Sequence, residues 1–135
     1  MMQIVLFLLG LGVAGCAAGA NAIGAPRPDV LRDVEGYAIA SCLANQAQPY
    51  LREQGDAWAS VIIQRSRADL DTLARLDEQV KREIAKGDMA VIRNEVGPEK
   101  DKILPLLYCA EIIDTPSVRA AIRKAVVKLS PAYRK

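Results

Sequence analysis

At 135 residues the chain can bury one hydrophobic core and is too short for two domains. Hydrophobic residues make up 51% of it but aromatics only 4%, with Ala and Leu dominant, a balance that favours closely packed helices over sheet. A formal net charge of +2 with acids and bases interleaved gives no field that would select nucleic acid, and the absence of any histidine removes the commonest general base and the commonest zinc and copper ligand.

Residues 1–22 read as a targeting segment. Ile4 to Val13 is a short apolar run followed by small residues, with no charged side chain before Arg27, which fits a secretory signal and is too short for a membrane span. Two cleavage patterns follow it. Val13-Ala14-Gly15-Cys16 resembles a lipobox and is favoured because the apolar run ends immediately before it; lipidation at Cys16 would then anchor the chain, by likeness to Gram-negative lipoproteins at the outer membrane. Ala20-Asn21-Ala22 offers an ordinary A-x-A cut and a soluble periplasmic product. Either cut places the rest of the chain in the periplasm and takes Cys16 out of the thiol count. Cys42 and Cys109 then remain as an even pair in an oxidising compartment, so a disulfide is expected, the alternative being two buried free thiols.

Residues 23–28 form a tether, the end of a Gly-, Ala- and Pro-rich stretch in which Pro26 and Pro28 impose an extended path. The folded domain is expected over 29–135. Asp29 suits an N-cap, and the broad face of Val30, Val34, Tyr37, Ile39 and Cys42 marks a central helix to about Gln46. Gln48-Pro49 breaks it, and Gly55 is expected to stop a short segment, after which Asp56 caps a helix holding Trp58, Val61 and Ile62 with Trp58 in the core. Ser66 and Asp69 stand at capping-box spacing before an amphipathic helix with Leu70, Leu73, Leu76, Val80 and Ile84 on one face. Its other face carries the acid-before-base pairs Asp71 with Arg75, Asp77 with Lys81 and Glu78 with Arg82.

Gly87 ends that helix, and Asp88 is expected to cap a shorter one through Met89, Ile92 and Val96. Asn94 to Lys102, with Gly97-Pro98 and no apolar period, reads as an exposed loop. Pro105 opens a helix whose buried face is expected to carry Leu106, Cys109 and Ile113, and Thr115-Pro116 starts a last helix with Val118, Ala121, Ile122, Ala125, Val126 and Leu129 inside. The expected fold is therefore all-α, a single bundle of five to six helices with one disulfide. The cations Arg119, Arg123, Lys124, Lys128, Arg134 and Lys135 form a partial stripe at the C-terminal end, read as a solvated, dipole-matched face or as a surface for anionic lipid or an acidic partner.

No catalytic constellation emerges. There is no Ser-x-x-Lys, Gly-rich phosphate loop, nucleophile elbow or Cys-x-x-Cys, so neither an enzyme nor a metal or cofactor site is expected. The run Tyr37-Ala38-Ile39-Ala40-Ser41-Cys42-Leu43, then Tyr50 and Gly55, then Cys109 to Val118, resembles the periplasmic immunity proteins of type VI secretion amidase effectors. That resemblance implies a homodimer that sterically blocks a papain-like peptidoglycan amidase by placing a polar protrusion over its catalytic cysteine and histidine. Exposure and charge, rather than any family motif, select Lys86, Asp88, Glu95, Glu99, Lys100 and Asp101 as the partner-binding residues. A helical lipoprotein acting as an envelope assembly or pilot factor is the alternative.

Overall fold

The computed structural model describes residues 26–66, 69–93, 97 and 101–134. Among them the chain forms α1 (Asp29–Ala44), α2 (Pro49–Ser66), α3 (Leu70–Ile84), β1 (Val91–Ile92), β2 (Lys102–Ile103), α4 (Pro105–Glu111) and α5 (Pro116–Leu129), with 3-10 turns at Ile112–Asp114 and Ser130–Tyr133. The all-α bundle is the observed architecture, and the expected disulfide joins Cys42 to Cys109.

α1 is the hub. It packs against α2, α3, α4 and α5, and its buried residues, including Val34, Ala38, Ser41 and Cys42, run round most of its circumference, as a helix enclosed by others requires. Pro28 rather than Asp29 occupies the N-cap position, and Asp29 lies in the first turn, where its carboxylate suits the helix dipole. Both sulfurs are fully buried, and Gln46 closes the site by donating to the Cys42 carbonyl at 3.0 Å while lying 3.4 Å from the Cys109 sulfur.

α2 corrects the expected break. It runs unbroken through Gly55, because that glycine is where α2 comes closest to α1: an added Cβ would sit 2.3 Å from the Ala44 nitrogen and 2.5 Å from the Ala40 carbonyl oxygen. Glycine in mid-helix costs about 1 kcal/mol in propensity, a cost offset here by backbone-to-backbone packing. Trp58 is also misplaced by the sequence reading; it lies across Gly36 on the bundle's outside and stays 40% exposed, while Ile62 takes the core position.

α3 keeps its expected face, with Leu73, Leu76 and Val80 buried, although Leu70 in the first turn is exposed. Asp69 is the N-cap, accepting from the Asp71 amide, whereas Ser66 belongs to α2. α3 and α5 lie antiparallel: Lys128 reaches Asp69 at one end, and Ser117 donates to Glu83 at the other. α4 corrects a face. Cys109 and Ile112 are buried, while Leu106 in the first turn is 62% exposed; Ile113 is only half-buried, because the chain tightens into a 3-10 turn at Ile112 and turns Ile112 inward in its place.

Candidate functional site

A further departure from expectation lies after α3. Among the described residues no helix lies between Asp88 and α4; instead Val91 pairs with Ile103 and Ile92 with Lys102 in an antiparallel ladder, the stem of a hairpin, while Val96 of the expected helix and most of the polar stretch between the strands lie outside the described residues. Its entry is set by Gly87, whose φ of 78° is a left-handed conformation that costs glycine least, and whose amide donates to the Ile84 carbonyl at 3.0 Å. The exit is fixed by the Leu104 amide donating to Ala90 at 3.0 Å and by Pro105 starting α4 at once. β-Branched residues prevail over the helical pattern because Met89, Ile92 and Val96 had only a weak period, while Val91-Ile92 and Ile103 flank Gly97-Pro98 as paired strands do.

The hairpin's side chains face water. Val91, Ile92 and Ile103 are each about half exposed, and Leu106 and Leu107 at the start of α4 continue the apolar surface. Beside it lies a cleft of about 340 Å³ lined by Glu83, Asp88, Tyr108, Glu111, Asp114 and Thr115. Lys86 donates to Glu83 at 2.6 Å, and this bond, with the weaker one from Ser117, holds the Glu83 carboxyl below its ordinary pKa. Burial pushes the Tyr108 phenol up, helped by the carboxylates of Glu83 and Asp88. The cleft therefore presents acceptors and negative charge next to an apolar rim, a combination that suits docking of a protein surface. Among the described residues no group of three or more carboxylates or cysteines is arranged to hold a metal ion.

Of the expected partner-binding residues, Lys86 and Asp88 stand at the hairpin's base and Asp101 immediately precedes β2, so these three are brought to one end of the molecule. Glu95, Glu99, Lys100 and the proposed lipidation site Cys16 lie outside the described residues. Sequence reasoning missed the apolar members, Val91, Ile92, Ile103, Leu106 and Leu107. The signal was the β-branched Val91-Ile92 and Ile103 on either side of Gly97-Pro98. It also missed two buried acids on α1. Asp33 is held by Arg65 and by the Tyr133 hydroxyl, which donates at 3.0 Å; Glu35 is held by Arg27 and by Arg119, whose other guanidinium nitrogen donates to Asp114 at 2.5 Å. Arg119, read as part of a solvated stripe, is thus a structural clamp.

Comparison of the chain with protein-family models, with curated proteins and with solved structures gives no match.

Proposed function

We propose that the protein is a periplasmic immunity protein that binds a peptidoglycan amidase of the papain-like class, delivered by type VI secretion, and blocks it sterically with the β1–β2 hairpin. The observation that carries this reading is a short antiparallel strand pair with outward apolar side chains, flanked by Lys86, Asp88 and Asp101 and mounted on a helical frame stapled by Cys42–Cys109. A preorganised protrusion loses little conformational entropy on entering a cleft, which is what a tight inhibitor needs. Export, and lipidation at Cys16 where the lipobox is used, place it where such an effector acts. The homodimer implied by the resemblance would use the outer side of α2, where Tyr50, Trp58 and Val61 remain exposed on the helical body.

The test is co-expression in the periplasm with the amidase encoded beside it. Rescue from lysis and co-purification of a stable complex are expected. Failure of a folded, exported protein to protect against its cognate neighbour rejects immunity, and co-purification with an envelope-assembly component instead selects the pilot-factor alternative. Within a complex, Val91→Ser with Ile103→Ser should weaken binding at least about tenfold, or roughly 1.4 kcal/mol. The same threshold applies to Ala at Glu95, Glu99 and Asp101.

A further inference from the structure

The outer side of α5 carries one sign of charge. Val118, Ile122, Ala125 and Leu129 are buried, so Arg123, Lys124, Val127 and Lys128 fall together on the opposite, exposed side, and α5 contains no acidic residue. Val127 stands 76% exposed among these cations. α3 adds to this face. Arg75, expected to pair with Asp71, has no ion-pair partner among the described residues, and it lines a shallow groove of about 160 Å³ with Leu76, Ala121, Lys124, Ala125 and Lys128. Arg123 and Lys124 likewise have no ion-pair partner among the described residues, whereas Lys128 is partly offset by Asp69 at 3.0 Å. The groove is too small to take more than one side chain, so it does not define a peptide site.

Two placements decide what such a face meets. The antiparallel packing of α3 and α5 puts Arg75, Lys124 and Lys128 at one end of the pair, and Glu83, Asp114 and the hairpin base at the other. The start of α1 lies by the turn that follows α5: Tyr133 bonds to Asp33 in the first turns of α1, and Arg134 lines a cavity with Asp29 and Arg32. Arg27, just before α1, reaches Glu35, which Arg119 also binds, and the apolar run Ile4 to Val13 and Cys16 connect to this start of α1 through about a dozen residues, a reach of at most roughly 40 Å that is long enough to bring the basic face to a bilayer.

We propose that the face formed by Arg75, Arg123, Lys124 and Lys128, with Val127 at its centre, rests on an anionic phospholipid bilayer. The tether brings it there, the cations bind lipid headgroups, and Val127 enters the interface. α5 then lies side-on against the membrane, and the acidic, hairpin-bearing end is displaced along the helix from the contact. This inference rests on the bilayer anchoring of the preceding section and is independent of the amidase, so the two fail separately.

The test uses the purified protein with its N-terminal segment, on vesicles of phosphatidylcholine alone or containing phosphatidylglycerol, with amine acylation mapped by mass. On the anionic vesicles Lys124 and Lys128 should be protected at least about fivefold relative to neutral ones, while Lys81 and Lys86 react equally on both. About 0.5 M salt should relieve the protection, since screening shortens the reach of each charge to a few ångström. Arg75→Glu with Arg123→Glu, both exposed positions, should cut the protection below about twofold with the melting temperature unchanged. Equal reactivity on the two vesicles, protection that survives salt, or protection retained in the double variant overturns the proposal. So does equal protection by soluble poly-glutamate, which would assign the face to an acidic protein instead.

Discussion

Gly55→Ala tests the packing of α2 on α1 by the sign of its effect. Were Gly55 a helix stop or a free surface position, alanine would stabilise by up to about 1 kcal/mol through helix propensity alone. In the structure the new Cβ would meet the Ala44 nitrogen at 2.3 Å and the Ala40 carbonyl oxygen at 2.5 Å, both backbone atoms that cannot swing away. The two helices must separate, and overpacking of this kind costs on the order of 3 kcal/mol at its upper end. Net of propensity, a loss of about 2 kcal/mol is expected, lowering the melting temperature on the order of 8 °C for a domain of this size. Thermal unfolding by circular dichroism of the oxidised protein measures it. Gly36→Ala is the matched control, because its Cβ would meet the Ile62 Cδ1 at 3.2 Å, the movable end of a side chain, and its effect should stay within about 1 kcal/mol. A melting temperature for Gly55→Ala at or above that of the parent would refute the close-approach account.

The Cys42–Cys109 bond closes a loop with a sequence separation of 67, so reduction after unfolding should lower stability by roughly 4 kcal/mol in the chain-entropy account. Quantitative alkylation of the native, unreduced protein would contradict the bond itself. Glu35→Gln removes the buried charge and leaves one acceptor oxygen where Arg27 and Arg119 each use their own, and should cost about 2–3 kcal/mol by urea unfolding. Tyr133 has its phenol pushed up to about 12 by burial and by its bond to Asp33, against an ordinary value of 10.0. Its stabilisation is therefore complete below pH 10 and lost as pH rises toward 12; absorbance titration should show a late phenol that Tyr133→Phe removes. Glu83 behaves oppositely: its carboxyl titrates below the ordinary 4.5, so its contribution is present above that pH and lost as pH falls through the lower folded value. Glu83→Gln should flatten this acid limb, and an unchanged limb would show that the Lys86 and Ser117 bonds carry no linkage.

The sequence made the frame legible wherever a periodic apolar face met a long helix. α3 is read almost residue for residue because its core stripe and its charge pairs lie on separate sides, and two of those pairs form, Lys81 with Asp77 and Arg82 with Glu78. Cysteine parity gave the disulfide for a reason independent of geometry. The failures share a physical cause, which is that glycine, short apolar runs and charges each have two uses that only tertiary structure separates. Gly55 served close packing rather than termination; Trp58 covered Gly36 from outside; Arg119 entered a buried ion pair although its neighbours on α5 stayed in water. At the candidate site the charges of Lys86, Asp88 and Asp101 were legible from composition. The apolar surface was hidden, because strands of two residues carry too little pattern to compete with a helical reading.

The two kinds of buried tie place rigidity where the hairpin needs it. Asp33 and Glu35 bind α1 to α2, to the start of α5 and to the turn after α5 through arginines and Tyr133. Neither acid touches the hairpin directly. The disulfide does so nearly, since β2 ends at Ile103 and α4 carries Cys109 one and a half turns later, so the exit strand is tied covalently to α1. The entry strand has no such bond; it is held by the Gly87 turn and by Glu83 of α3, to which Lys86 in that turn and Ser117 of α5 both donate. Ordering a free residue costs about 1–2 kcal/mol, so a protrusion whose exit is fixed by covalent chemistry and whose entry is fixed by one carboxylate should have its affinity for a partner fall at acid pH with Glu83 and fall further on reduction. The exit side sets how stably the hairpin is presented, and the entry side sets its pH response.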